Sequence, residues 1–285
     1  YDIPLRLVGS EMCIRDSVVG NGTINWGLIA ASDDGTKLAA SIYSGKIMTS
    51  SDSGATWTES NSISGGWGDI DMSADGEKVV CALGGNKIYY SSNYGVDWTR
   101  SGNSPSNTKG VATNGQIVLA ASTNPANIFI STNFAWSWTT VTVGSSEDWR
   151  DVDMSADGTK MAAVVHNGNI WISSDSGTTW TEDTSVGSTK AWNRITMTPD
   201  GTKMAATETS TGYKGNIWTS IDGGTSWTER SVGATQQWQD IAISQDGATI
   251  AATTYFEIKH VWVSYDSGAT WTGTDGLSNK LHGIT

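Results

Sequence analysis

The sequence predicts an all-β protein built from repeated four-stranded antiparallel units, a β-propeller. A seven-residue pattern, Ser-Asp-Ser-Gly-Thr-Thr-Trp where it ends at Trp180, recurs along the chain at intervals of 40 to 47 residues. The related copies end at Trp57, Trp98, Trp138, Trp227 and Trp271. This interval is the length of one four-stranded propeller blade. Asp-Gly dipeptides between strand-like segments, at a second fixed place in most repeats, indicate hairpin turns.

Composition agrees with this prediction and excludes some functions. Only 16% of the 285 residues are charged, whereas the chain has 33 Gly and 15 Trp, a composition of short strands and tight turns. The net charge of −12 disfavours nucleic acids and anionic membrane surfaces as partners. No apolar run approaches the roughly 20 residues of a membrane span, so membrane insertion is not expected. Two cysteines do not make a disulfide framework.

One repeat runs through nearly the whole chain, which predicts a single domain. Residues 1–14 match nothing later and are interpreted as a non-propeller leader of artefactual origin, and residues 15–285 as the propeller. Six full repeats are present, with partial blade strands at both ends. These partial strands could pair and close a ring of six or seven blades, or the chain could be cut from a longer array; the second interpretation is favoured because both ends stop within a blade.

The first strand of each repeat is clearest at Trp149–Ser155, where apolar Val152 and Met154 alternate with Asp151 and Asp153. Equivalent segments begin at Trp26, Trp67, Thr108, Trp192 and Trp238. A turn follows, usually with Asp-Gly, in which the glycine accepts a positive φ angle. The second strand is rich in small residues, which suits an inner position where neighbouring blades crowd together. A third strand leads to the Asp-containing pattern, and the fourth, outer strand begins at its tryptophan.

The Ser/Thr-x-Asp-x-Gly-x-Thr-Trp pattern resembles the Asp-box, or bacterial neuraminidase repeat. This repeat occurs in sialidases, xyloglucan-cleaving propeller enzymes, sortilin-type receptor domains and photosystem assembly propellers. The resemblance implies a propeller fold with the box between the third and fourth strands, and it leaves the activity open because these families share no chemistry. The residues assigned to structural boxes are Asp52, Gly54, Trp57, Asp175, Gly177, Trp180, Asp222, Gly224, Trp227, Asp266, Gly268 and Trp271.

The chemistry of the box favours a structural role. The aspartate can accept hydrogen bonds from the backbone of its own turn, the glycine takes an unusual φ angle, and the tryptophan packs between sheets. A calcium site is the weaker alternative, because one or two carboxylates fall short of the six to eight oxygen ligands that calcium takes. No metal or cofactor is therefore expected.

Catalytic candidates are few. Asp69, Asp151 and Asp240 occupy the same first-strand position in three repeats and could surround the mouth of a central channel. A glycosidase needs two carboxylates across a cleft, but recurrence in register favours a structural interpretation. The resemblance to sialidases would require three arginines around the substrate carboxylate, and only Arg150 and Arg194 lie on inner strands. The three histidines form no triad or metal pattern.

Binding has more support, on the face opposite the boxes. The tryptophans that begin first strands lie near that face and could stack on sugars or proteins, although packing between blades explains them equally. The loops between second and third strands lengthen in the fifth and sixth repeats. The candidate ligand residues are Trp67, Trp149, Trp192, Trp238, Arg150, Arg194, Tyr213, Tyr255 and Phe256.

The favoured hypothesis is a non-catalytic interaction or glycan-binding module of a larger secreted or cell-surface protein, acting as a monomer. Its partner would be a glycan or a protein. A sialidase-like propeller glycoside hydrolase and a purely structural spacer are the alternatives.

Overall fold

The computed structural model describes residues 26–275 apart from 85–86, 145–146, 210–214, 231, 233–235 and 255–258. These residues form 24 strands and no α-helix. The strands follow each other four at a time as antiparallel meanders, in the order expected of propeller blades. None of the described residues belongs to a helix that could cross a membrane.

In each set of four, the first strand lies innermost. The first strands are Trp26–Ala31 (β1), Trp67–Met72 (β5), Thr108–Thr113 (β9), Trp149–Met154 (β13), Lys190–Met197 (β17) and Trp238–Ile243 (β21). The second strands are Leu38–Ile42 (β2), Val79–Leu83 (β6), Val118–Thr123 (β10), Met161–Gly168 (β14), Met204–Glu208 (β18) and Ile250–Thr254 (β22). The third strands are Ile47–Ser50 (β3), Lys87–Ser91 (β7), Ala126–Ser131 (β11), Ile170–Ser173 (β15), Ile217–Ser220 (β19) and Lys259–Ser264 (β23).

The outer strands are short and exposed where their side chains are described: Thr58–Glu59 (β4), Thr99–Arg100 (β8), Thr139–Val141 (β12), Thr181–Asp183 (β16), Thr228–Arg230 (β20) and Thr272–Asp275 (β24). Four of the sets are separate four-stranded sheets. The sets β13–β16 and β17–β20 join into one eight-stranded sheet, because the end of β14 pairs with the start of β17 at His166 and Ala191.

The core lies between the blades. Leu119 and Ile128 of the third blade pack with Trp149 and Met161 of the fourth, and all four are buried. Equivalent clusters lie between the other successive blades of the described chain. Each blade therefore buries an apolar face only by stacking on its neighbour, which is why the sequence repeats as a unit.

Candidate functional site

The turn between the third and fourth strands, here called the Asp turn, is held by a serine and an aspartate. In the fourth blade, the Ser173 hydroxyl donates to Asp175 Oδ1 (2.9 Å) and accepts the Gly177 N–H (2.9 Å). The Thr179 N–H and hydroxyl donate to the two Asp175 oxygens at 2.8 and 2.6 Å. The Trp180 indole N–H donates to the Gly177 carbonyl. The expected hydrogen-bonding role of the aspartate is thus present.

Gly177 shows why this turn requires a glycine. Its φ angle is 78°, in the left-handed region. A Cβ atom at this position would lie 2.2 Å from Ile130 Cδ1 of the preceding blade. The glycine therefore allows the turn to sit against the neighbouring sheet.

Two Asp turns carry asparagine, whose side-chain oxygen accepts the same backbone N–H and whose amide donates a further hydrogen bond. Asn93 Nδ2–H donates to Asp97 Oδ2 at 2.7 Å, whereas in the other turns a threonine or serine hydroxyl donates to the aspartate. In the third blade, Asn133 Nδ2–H donates to the Ser137 hydroxyl. The fold thus tolerates an amide at this position.

The Asp turns and the turns between first and second strands lie on one face, as the sequence predicts. The Ser176 N–H donates to the Thr159 carbonyl at 2.9 Å, and the Ser53 N–H donates to the Thr36 carbonyl at 3.1 Å. The opposite face carries the connections between second and third strands and between successive blades.

The first strands β1, β5, β9, β13, β17 and β21 surround a central cavity of about 100 Å³. It is lined by Leu28, Ile29, Asp69, Ile70, Asp71, Val111, Asp151, Val152, Asp153, Arg194, Ile195, Thr196, Asp240 and Ile241. The structure therefore brings together Asp69, Asp151 and Asp240, as the sequence predicts. It adds Asp71 and Asp153, which sequence reasoning did not choose as site residues although they lie two residues further along the same strand face.

Four of these aspartates connect one blade to the next. Asp69 Oδ2 and Asp71 Oδ2 accept the N–H groups of Val111 and Thr113 at 2.7 and 2.6 Å. In the same way, Asp151 Oδ2 accepts the Ile195 N–H at 2.9 Å. Asp153 Oδ2 accepts the Met197 N–H at 2.6 Å. These hydrogen bonds, here called the blade bridges, join the second blade to the third and the fourth blade to the fifth.

Gly110 lets two first strands approach each other beside a bridge. A Cβ atom there would lie 2.6 Å from Asp151 Oδ1 and 2.7 Å from Asp151 Cα. A larger residue at position 110 of β9 would push β13 and Asp151 away. The absence of a side chain at the position equivalent to Asp69 thus has a packing reason.

Arg194 supplies positive charge to the cavity. Its Nε atom lies 3.7 Å from Asp240 Oδ1. Burial alone would lower the pKa of this guanidinium, but Asp151, Asp69 and Asp240 more than offset burial and raise it. Arg194 therefore stays charged and neutralises part of the acidic lining.

Burial raises the pKa values of the bridging aspartates. Desolvation, with the charge of Asp153 next in size, raises the pKa of Asp71 to about 8. Desolvation also raises the pKa of Asp153 to about 7, against hydrogen bonds from the Met197 and Met154 amides. The pKa values of Asp69 and Asp151 are likewise raised, by desolvation first and against the charge of Arg194. The described part of the chain places no three His, Cys, Asp or Glu side chains to hold a metal ion.

The tryptophans that begin the first strands are mostly core residues. Trp149, Trp192 and Trp238 are at most 1% exposed, because the preceding blade covers each ring. A ring in this position cannot present its face to a ligand, so these three residues are corrected from ligand candidates to packing residues. The Trp238 N–H also ties it to the preceding blade, donating to the Gly215 carbonyl at 3.0 Å.

Trp67 differs, because it is half-buried at the face opposite the Asp turns. Its indole N–H donates to the Gly45 carbonyl, which also accepts the Gly65 N–H. These bonds bring the β2–β3 turn of the first blade against the connection into the second blade. Tyr43 (68% exposed) and Ile63 (46% exposed) lie on these two segments.

The remaining binding candidates are divided. Arg150 is half-buried and pairs with Asp148 at 2.6 Å, whereas Arg194 belongs to the cavity. Tyr213, Tyr255 and Phe256 lie outside the described residues. Tyr43 and Ile63 were missed by sequence reasoning. The short turn between β2 and β3 leaves little to cover a large side chain and could have drawn attention to Tyr43.

Solved structures resemble this chain, whereas no protein-family model and no curated protein sequence matches it. A GH74 xyloglucanase from Xanthomonas campestris aligns with a TM-score of 0.69 and 14% identity over 88% of this chain and 47% of its own, so the chain spans about half of that enzyme. The structure of YCF48 bound to a D1 peptide aligns with a TM-score of 0.65 and 14% identity, over 89% of this chain and 83% of its own.

The β-propeller domain of Cps50 (Swd1) from Myceliophteria thermophila gives a TM-score of 0.68 and 14% identity over 91% and 89%. At such low identity these likenesses concern the fold alone. They confirm that the chain folds as an all-β propeller with four-stranded antiparallel blades.

Proposed function

We propose that this chain is a non-catalytic interaction module that binds a glycan or a protein segment on the face opposite the Asp turns. The observation that carries the proposal is that Tyr43 and Ile63, both exposed, lie on the two segments that meet at the Gly45 carbonyl, to which half-buried Trp67 also donates. Aromatic and apolar groups on a rigid β scaffold suit sugar rings and peptide side chains alike. A glycan is the partner to test first.

The polar residues of the cavity support the non-catalytic alternative over an enzyme. Asp69, Asp71, Asp151 and Asp153 each direct a carboxylate oxygen at a backbone N–H of the next blade. A catalytic acid or base must instead be free to reach its substrate. The proposal extends to six Asp-box blades, a monomeric state and a place in a larger secreted or surface protein.

The test is a glycan array and a peptide pull-down with the full chain and two matched variants. Tyr43→Ala removes an exposed tyrosine from the proposed face, and Tyr265→Ala removes one that is 55% exposed beside an Asp turn. Binding lost in the first variant and kept in the second supports the proposal. Equal loss of binding in the two variants would mean that the ligand binds elsewhere. No binding to the glycan array or in the peptide pull-down would favour the structural spacer.

A glycoside hydrolase is the second candidate, supported by the convergence of Asp69, Asp151 and Asp240 on one cavity. The raised carboxyl pKa values of Asp69 and Asp151 suit a general acid, and a GH74 xyloglucanase shares the fold. Release of dye from fluorogenic glycosides, or of sugar from xyloglucan, would be measured for the wild type and for Asp69→Asn, Asp151→Asn and Asp240→Asn. Turnover that disappears in these variants would replace the binding proposal.

A further inference from the structure

The blade bridges place more carboxyl groups in the cavity than Arg194 can neutralise. Among the described residues that line it, five carboxylates face a single guanidinium, that of Arg194. The strands β1 and β9 contribute Leu28, Ile29 and Val111, which carry no charge. The buried Cys81 thiol also contacts the Asp69 carbonyl, at 3.1 Å. Full ionisation would therefore leave four uncompensated negative charges in a confined space.

We propose that the blade bridges of the central cavity, called the channel below, act as a proton-controlled latch between blades. The latch is most stable in mild acid and weakens as the bridging aspartates lose their protons near and above neutral pH. A protonated carboxyl still accepts the amide hydrogen bond of the next blade through its carbonyl oxygen. It does so without adding charge to the cavity. Ionisation keeps the acceptor but introduces repulsion between blades.

Asp71 and Asp153 control this latch. Each accepts two backbone N–H groups, one from its own strand and one from the next blade, and Asp153 is the charged group with the largest effect on Asp71. Their pKa values of about 8 and about 7 lie well above the value near 3.9 of an unfolded aspartate. Between the unfolded and the folded pKa values, the folded chain holds protons that the unfolded chain has released, so the free energy of unfolding falls as the pH rises through this range. Asp69 and Asp151, whose pKa values are also raised, add to this fall.

Urea unfolding of the full chain at pH 5 to 9 tests the latch. For the wild type, the unfolding equilibrium constant should rise by up to about tenfold per pH unit for each proton that only the folded state holds. The variant Asp71→Asn/Asp153→Asn keeps one acceptor oxygen in each position, which can accept the N–H of the next blade, and cannot ionise. Its stability should fall less steeply over this range than that of the wild type, and Asp69 and Asp151 should account for the remaining slope. The matched control Asp175→Asn, in an Asp turn, should keep the slope of the wild type.

A second measurement uses the wild type alone, so the test does not depend on the folding of a variant. After correction for intrinsic exchange rates, hydrogen-exchange protection of the Thr113 and Met197 amides should decrease from pH 6 to pH 9. Protection of the Thr179 amide, which donates to Asp175, should not decrease over this range. A wild-type stability that is flat or rises between pH 5 and 9, or bridge amides that keep their protection, would overturn the proposal.

Discussion

Aspartate serves this fold in two opposite environments, the Asp turns at the surface and the channel at the centre. In the turns, hydrogen bonds from Thr56, then Ser50, lower the pKa of Asp52 to about 2. In the channel, desolvation raises the pKa of Asp71 to about 8. Both accept backbone N–H groups, so the hydrogen bonds alone do not set the direction of the shift.

Water makes the difference between these environments. A turn aspartate keeps its hydration while its own loop supplies donors, so the ionised form is favoured. A channel aspartate faces other carboxylates in a small cavity, so the neutral form is favoured. The turn stabilises one blade locally, whereas a bridging aspartate joins two blades and depends on how they stack.

Removing the cavity cation should give the largest effect. Arg194→Met deletes the positive charge beside Asp240, Asp151 and Asp69 while keeping much of the side-chain volume. Removing one partner of a buried charge network typically costs about 3–5 kcal/mol. We expect a loss of this size in urea unfolding at pH 8.

The control for this prediction is the other inner-strand arginine. Arg150 pairs with Asp148, and both side chains are more than a third exposed, at 34% and 40%. Such pairs contribute about 0–1 kcal/mol, so Arg150→Met should cost little. Similar losses in the two variants would contradict the distinction between the channel and the surface.

Removing the serine of an Asp turn should have an intermediate effect. Ser173→Ala leaves the buried Gly177 N–H without its acceptor and removes a donor to Asp175. An unsatisfied buried donor costs about 1–3 kcal/mol. Thermal or urea unfolding would measure this loss. The neighbouring Ser174 is exposed, so Ser174→Ala should lie within about 0.5 kcal/mol of the wild type.

The repeat explains why much of the architecture could be predicted from the sequence. In the fourth blade, the side-chain hydrogen bonds of the Asp turn join residues at most four positions apart, so they follow from local chemistry. The pattern includes the serine two residues before the aspartate, but sequence reasoning gave this serine no role. It is present in all six repeats, as Ser50, Ser91, Ser131, Ser173, Ser220 and Ser264. A small polar residue in a recurring buried position could have indicated a hydrogen bond to the turn.

The channel could be predicted only in part. Register placed Asp69, Asp151 and Asp240 together, but each bridge joins residues 42 or 44 positions apart, as between Asp71 and Thr113 or Asp153 and Met197. Which aspartate meets an amide of the next blade depends on how the sheets twist and stack. The burial of Trp149 has the same origin, since a period-2 pattern indicates the face of a strand but not whether another sheet covers it.

The smallest effect is expected from replacing an Asp-turn aspartate by asparagine, and it should appear only in acid. The pKa of Asp175 is lowered, chiefly by the Thr179 hydroxyl and amide. Its contribution to stability is therefore complete above the unfolded pKa near 3.9 and is lost as the pH falls through the folded pKa. The Asn93 and Asn133 turns already use an amide, so Asp175→Asn should nearly match the wild type at pH 7, whereas Asp175→Ala should melt at a lower temperature.

Between pH 4 and 2, Asp175→Asn should lose less stability than the wild type in thermal scans. An asparagine variant as unstable as the alanine variant at pH 7 would mean that the charge, and not the hydrogen-bond acceptor, holds the turn.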